Sequence, residues 1–125
     1  MKKLFILFIL VIQSCSLLQD NNGIEVTIKN NSKHPITDIQ CYTSEKLETL
    51  QIPNIEANKT VSKFLSMKKN KQDGNYILEY VDANKKKRIK KEGYYTNGSS
   101  LNKWITFSIE KDTILVTYSK PSLIY

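Results

Sequence analysis

From Ile24 to Lys29 the chain reads Ile-Glu-Val-Thr-Ile-Lys, a strict alternation of apolar and polar side chains. Successive side chains of a strand point to opposite faces, so this pattern buries Ile24, Val26 and Ile28 and leaves Glu25, Thr27 and Lys29 in water. Short stretches of strand character separated by turn residues continue to the end of the chain, and none keeps a helical period over three turns. The expectation is an all-β domain.

Asn30-Asn31-Ser32-Lys33-His34-Pro35 breaks the first strand, because Pro35 lacks an N–H and the Asn-Asn-Ser group favours turns. A second strand is expected from Ile36 to Thr43, with Ile39 and Cys41 on one face. Others are expected over Leu47–Ile52, Thr60–Ser66 and Asn75–Asp82. The charged stretch Asn84–Glu92 belongs at an edge if it pairs at all. The last two strands specify their own register. Pairing across Lys111-Asp112 sets Ile109 against Ile114, Phe107 against Val116 and Ile105 against Tyr118, and a slip of one residue would turn all three pairs to solvent. Each such pair adds about 0.2–1 kcal/mol beyond burial. Trp104 and Leu115 fall on the polar face of this hairpin, which implies that the face is partly covered.

The stretch Asp73-Gly74-Asn75-Tyr76-Ile77-Leu78-Glu79-Tyr80 resembles the tyrosine corner of immunoglobulin-like sandwiches. The resemblance implies that Tyr76, Leu78 and Tyr80 face the core and that a phenol bonds to upstream backbone. Residues 94–118 hold at least two further strands, more than a seven-strand immunoglobulin fold needs. The expected fold is a single antiparallel β-sandwich over residues 24–120 with a tail at 121–125. An immunoglobulin-like topology is one form of it and a small closed barrel is the alternative, since period-two alternation does not separate them.

Ahead of the domain, Lys2 and Lys3 precede nine apolar residues, Leu4 to Ile12. As a helix this run reaches about 14 Å, too short for roughly 30 Å of hydrocarbon, and a charged start, short apolar middle and small polar end is the layout of a secretory signal. Ile12-Gln13-Ser14-Cys15 resembles the lipobox of bacterial lipoproteins. The resemblance implies a signal peptide at 1–14, a diacylglycerol and a third chain on Cys15, and a tether over 15–23 that holds the domain to a membrane of the cell envelope. In Gram-negative lipoproteins Ser16, a non-Asp residue after the cysteine, implies the outer membrane.

Loss of residues 1–14 from the 125-residue chain leaves 111 residues, enough for one domain with one core. The net charge of +7 becomes +5 without Lys2 and Lys3, and nearly all of it is lysine. That balance solubilises and attracts anions. It disfavours nucleic acid as a partner, because lysine lacks the bidentate fork that reads bases. With Cys15 lipidated, Cys41 has no internal disulfide partner and is expected to point inward as a small apolar side chain.

Two groups could carry binding. Lys68, Lys69 and Lys71 form one basic cluster and Lys85, Lys86, Lys87, Arg88, Lys90 and Lys91 a denser one. They could hold phosphate-bearing lipid, an acidic glycan or an acidic protein, or could be a solvated hairpin whose lysines deter edge pairing. The functional reading gains if the two clusters meet at one end of the sheet. The second group is an aromatic loop, Tyr94, Tyr95, Asn97 and Trp104, suited to stacking on a sugar or anchoring a protein, with ordinary strand tyrosines as the alternative. Catalytic chemistry is poorly provided for. A dyad of Cys41 with the sole histidine, His34, would need a buried strand thiol to turn outward, and no metal or cofactor site is expected. The anchor that the lipobox resemblance implies, the missing catalytic groups and the two candidate contact surfaces point to a non-enzymatic, lipid-anchored module of the cell envelope that presents a basic β-sandwich to a protein or glycan. An inhibitor or immunity-type protein against an envelope-acting toxin or lytic enzyme is the alternative, and a cryptic hydrolase is a third.

Overall fold

The computed structural model describes residues 22–121; the signal segment 1–14, Cys15 and residues 122–125 of the tail lie outside the described residues. Nine strands form two sheets: β1 (Gly23–Asn30), β2 (Ile36–Thr43), β3 (Thr49–Ile55), β4 (Thr60–Ser66), β5 (Gly74–Val81), β6 (Lys87–Thr96), β7 (Ser99–Ser100), β8 (Trp104–Ile109) and β9 (Ile114–Tyr118). One sheet has the order β4-β1-β8-β9 and the other β3-β2-β5-β6-β7. The two pack as a sandwich. Neither is closed on itself, so the barrel alternative is set aside.

One pairing departs from the antiparallel expectation. β8 lies beside β1 and parallel to it, with Val26 opposite Ile105, Ile28 opposite Phe107 and Asn30 opposite Ile109. The apolar members of these pairs, with Ile24, Ile39, Cys41, Leu65, Leu78 and Tyr95, make the centre of the core. Each fully buried aliphatic side chain contributes about 1.5–3 kcal/mol. The β8–β9 hairpin takes the register its apolar pairs require: Ile109 with Ile114, Phe107 with Val116, Ile105 with Tyr118. Its polar face is open rather than covered, for Trp104 is 42% and Leu115 54% exposed.

In β2 both Ile36 and Ile39 are buried, which an unbroken period of two forbids. The register against β5 shifts between Thr37 and Gln40, and Asp38 there adopts φ 50°. The extra residue flips the phase, so the bulge lets one strand bury both isoleucines.

Tyr76, Leu78 and Tyr80 do face the core. The expected phenol-to-backbone bond is corrected: the Tyr76 hydroxyl shares a 2.8 Å hydrogen bond with Ser100 Oγ and reaches Met67 Sδ at 3.8 Å. Side chains on β7 and on the β4–β5 connection supply the partners.

Asn97 and Gly98, at φ 49° and 74°, make the tight turn that Asn-Gly implies. Gly98 also presses its backbone on the β4–β5 loop, donating to the Gln72 carbonyl at 2.7 Å. A Cβ there would run into the Asn70 carbonyl. Gly98→Ala is expected to cost about 1–3 kcal/mol in chemical denaturation, whereas Asn97→Gly shifts the midpoint little; equal midpoints for Gly98→Ala and wild type would contradict this.

Candidate binding groove

Three connections meet where β1 ends. They are Asn31–Pro35 between β1 and β2, Asp82–Lys86 between β5 and β6, and Glu110–Thr113 between β8 and β9. Between them lies a groove of about 990 Å³. Buried Ile36, Tyr80 and Ile109 and half-buried Ile114 give it an apolar bottom. Lys33, Arg88, Lys90 and Lys111 supply cations to its walls, His34 an imidazole, and Asp82, Glu110 and Asp112 carboxylates.

Its walls are fixed by polar side chains that serve the backbone. Asn30 is fully buried; its amide donates to the His34 and Ile55 carbonyls at 2.8 and 3.0 Å, and its Oδ1 accepts from the Ser32 hydroxyl at 2.6 Å. Asn31 donates its side-chain amide to Glu110 Oε1 at 3.0 Å, tying the first loop to the third. Asp82 folds the second: Oδ1 accepts the N–H groups of Asn84 and Lys86, and Oδ2 takes Arg88 Nε at 2.8 Å. The Arg88 bond, then the Lys86 N–H, holds the Asp82 carboxyl below the usual carboxylate range.

The two lysine clusters are split along β5: Lys68, Lys69 and Lys71 precede it and Lys85 and Lys86 sit in the turn after it, eight residues or roughly 25 Å away, while β6 carries Lys90 and Lys91 back beside Leu78 and Ile77. Half of the denser run is neutralised locally: Lys87 with Glu79 at 3.3 Å, Arg88 with Asp82 at 2.8 Å, Lys90 with Glu92 at 3.6 Å. Among the described residues Lys85, Lys86 and Lys91 make no ion pair. The run is thus a mixed-charge wall and turn.

The aromatic loop is also taken apart. Tyr95 is fully buried, its phenol donating to Glu45 Oε2 at 2.8 Å and accepting from Asn70 Nδ2 at 3.3 Å. Tyr94 is exposed, but its phenol donates to Asp73 Oδ2 at 3.0 Å. Asp73 Oδ1 also takes the Asn97 N–H at 2.8 Å and the Thr96 hydroxyl at 3.0 Å, so Asn97 is a turn residue. Trp104 lies in the other sheet. The cluster therefore offers no single stacking surface.

His34 lines the groove, while Cys41 is fully buried and burial pushes its thiol up to about 12. The two do not form a dyad. No group of three or more His, Cys, Asp or Glu among the described residues could hold a metal ion. The groove residues Asn31 and Glu110–Thr113 escape sequence reading, since only the β1–β8 register brings their loops together, and Tyr80 and Ile114 are legible only as inward-facing strand residues.

No protein-family model matches the chain, and no curated protein matches it. A solved structure described as the NMR structure of the protein from Eubacterium rectale shares the fold, with a TM-score of 0.54 at 9% identity over 85% of this chain and 98% of that one. At that identity the likeness is one of fold alone.

Four carboxylates sit below their ordinary range because the fold gives them donors. For Glu45 these are first the Lys71 N–H and then the Tyr95 phenol, for Asp73 the Asn97 N–H, for Glu79 the Tyr42 phenol, and for Asp82 the Arg88 guanidinium. A folded-state pKa below the unfolded one gives stability that is present above the unfolded value and lost as pH falls through the folded one. Thermal unfolding followed by circular dichroism should therefore show a Tm that drops below about pH 4. Asp73→Asn should lower the Tm at neutral pH and make the acid limb shallower, and an unchanged limb would count against the assignment.

Proposed function

We propose that the chain is a small bacterial lipoprotein, a non-enzymatic binding module that presents its groove to a protein or glycan in the cell envelope. The observation that carries this reading is polarity. The described chain enters at Asn22, whose side-chain amide donates to the Met67 and Gly98 carbonyls; the groove lies at the far end of β1, eight residues away or roughly 25 Å. A lipid on Cys15 would sit seven residues before Asn22 and hold that end within about 25 Å of the bilayer. The groove then faces away from the membrane.

The same polarity gives the first lysine cluster a place. Lys46, Lys68, Lys71 and Lys103 lie on the connections around Asn22, with Lys69 there paired to Glu48 at 3.2 Å, and each lysine near an anionic headgroup surface contributes about 1 kcal/mol. Burial of Cys41 and its raised pKa favour binding over hydrolysis. The outer membrane is the proposed site, on Ser16 after the lipobox cysteine.

Cys15→Ser is expected to abolish fatty-acid labelling and to release the protein from the outer-membrane fraction. Wild-type protein that carries no acyl chain by mass spectrometry would overturn the anchor. A photo-crosslinking residue placed in cells at Asn84 or Thr113, on the groove rim, should trap a discrete adduct that the same residue at Lys69 does not. Equal adducts from both ends would remove the groove from the proposal. If the trapped partner is a toxin or lytic enzyme that the protein blocks, the module is of the inhibitor or immunity type.

A further inference from the structure

The free edge of a sheet presents unpaired N–H and C=O groups, and proteins blunt such edges with proline, inward-pointing charges or bulges. Four edges are open to comparison here, because β7 pairs with only Tyr95 and Thr96 of β6. β3 carries Pro53. β4 places exposed Lys63 on its inner row, opposite buried Val26. β6 places Arg88, Lys90 and Glu92 on its inner row, opposite buried Tyr80, Leu78 and Tyr76. β9, Ile114-Leu115-Val116-Thr117-Tyr118, has neither charge nor proline, and its register against β8 is unbroken.

Which of its backbone groups are unpaired among the described residues follows from the ladder. Glu110 N–H donates to the Thr113 carbonyl at 2.9 Å and Ser119 N–H to the Trp104 carbonyl at 3.1 Å, so these are the hydrogen-bonded pairs at the two ends. Alternation along an antiparallel pair then turns Leu115 and Thr117 toward β8 and the N–H and C=O of Ile114, Val116 and Tyr118 toward the open side. This edge joins two concavities, both of which open between β9 and β6. Ile114 lines the groove, and Tyr118 lines a second hollow of about 330 Å³ with Glu92, Tyr94, Leu101 and Pro121.

We propose that the free edge of β9 is a strand-docking site that takes an extended segment of another polypeptide, with apolar side chains at alternate positions entering the groove. A row of backbone donors and acceptors at strand spacing is matched by a peptide backbone rather than by a sugar chain, and alternate side chains supply specificity. A second copy of the chain is the other candidate occupant. Antiparallel self-pairing would set Val116 against Val116 and Ile114 against Tyr118, but it inverts one copy, so the two Asn22 ends point opposite ways. Two copies anchored in one membrane cannot pair so, and this choice of occupant rests on the lipid-anchored reading. Parallel self-pairing is head-to-tail and does not close.

The probe is a phage-displayed library of random linear peptides panned against the mature lipidated protein in detergent micelles, with enriched peptides then synthesised. The expected result is enrichment of peptides with β-branched or aromatic residues at every second position. Their binding should slow hydrogen exchange at least about tenfold at the amides of Ile114, Val116 and Tyr118. N-methylation of the peptide at the alternate residues that face β9 should abolish binding, while methylation of the intervening residues leaves it; this leaves the protein unaltered, unlike Val116→Pro. No enrichment, protection elsewhere with β9 exchanging as before, or indifference to methylation would each overturn the proposal. Protection of the same three amides before any peptide is added, with a dimer mass by light scattering, would overturn the choice of occupant. Failure of lipidation at Cys15 is read separately, by mass spectrometry, and bears on the anchor alone.

Discussion

The parallel pairing of β1 with β8 is the contact on which the arrangement of this molecule depends. It inserts a strand from near the end of the chain beside the first strand, making both central in their sheet. The ladder continues past both ends, with Glu25 N–H on the Lys103 carbonyl and Asn31 N–H on the Ile109 carbonyl. Because the strands run the same way, the entry point at Asn22 shares an end with the β7–β8 connection. The β1–β2 loop shares the other end with the β8–β9 turn. An antiparallel pairing would exchange those partners and leave no groove between Asn31 and Glu110.

The end around Asn22 is built on anions turned inward to the backbone. Glu45 accepts the Lys71 and Gln72 N–H groups and the Tyr95 phenol, and Asp73 accepts the Asn97 N–H with two hydroxyls. These carboxylates satisfy loop N–H groups that the strand ladders leave unpaired, and hold three loops together. Tyr94, Tyr95 and Asn97 are conspicuous in sequence for this structural reason. The groove end uses Asn30 and Asp82 in the same way, yet leaves Lys33, Lys111 and Asp112 on a rim above an apolar bottom.

A β-sandwich by itself carries no function, since one fold hosts many, and a shared fold at 9% identity adds none. What distinguishes this domain is the combination of a chain entry at one end, a concavity at the other and, among the described residues, one edge without charge or proline running between two hollows. Local neutralisation of Lys87, Arg88 and Lys90 makes a purely anionic ligand a poorer fit than a partner that also covers Ile109 and Ile114.

The amino-acid pattern alone determined the all-β class, the buried faces of β1 and β5 and the register of the β8–β9 hairpin. Alternation and tight turns are local, and a one-residue error would expose a whole apolar row. The bulge at Asp38, the split of the lysine clusters, the burial of Tyr95 and the groove were decided by tertiary structure. Each depends on which strand lies beside which. Residues such as Asn31 and Glu110, 79 positions apart, become neighbours only when non-local pairing brings them together, and period-two alternation looks the same whichever strand is the partner.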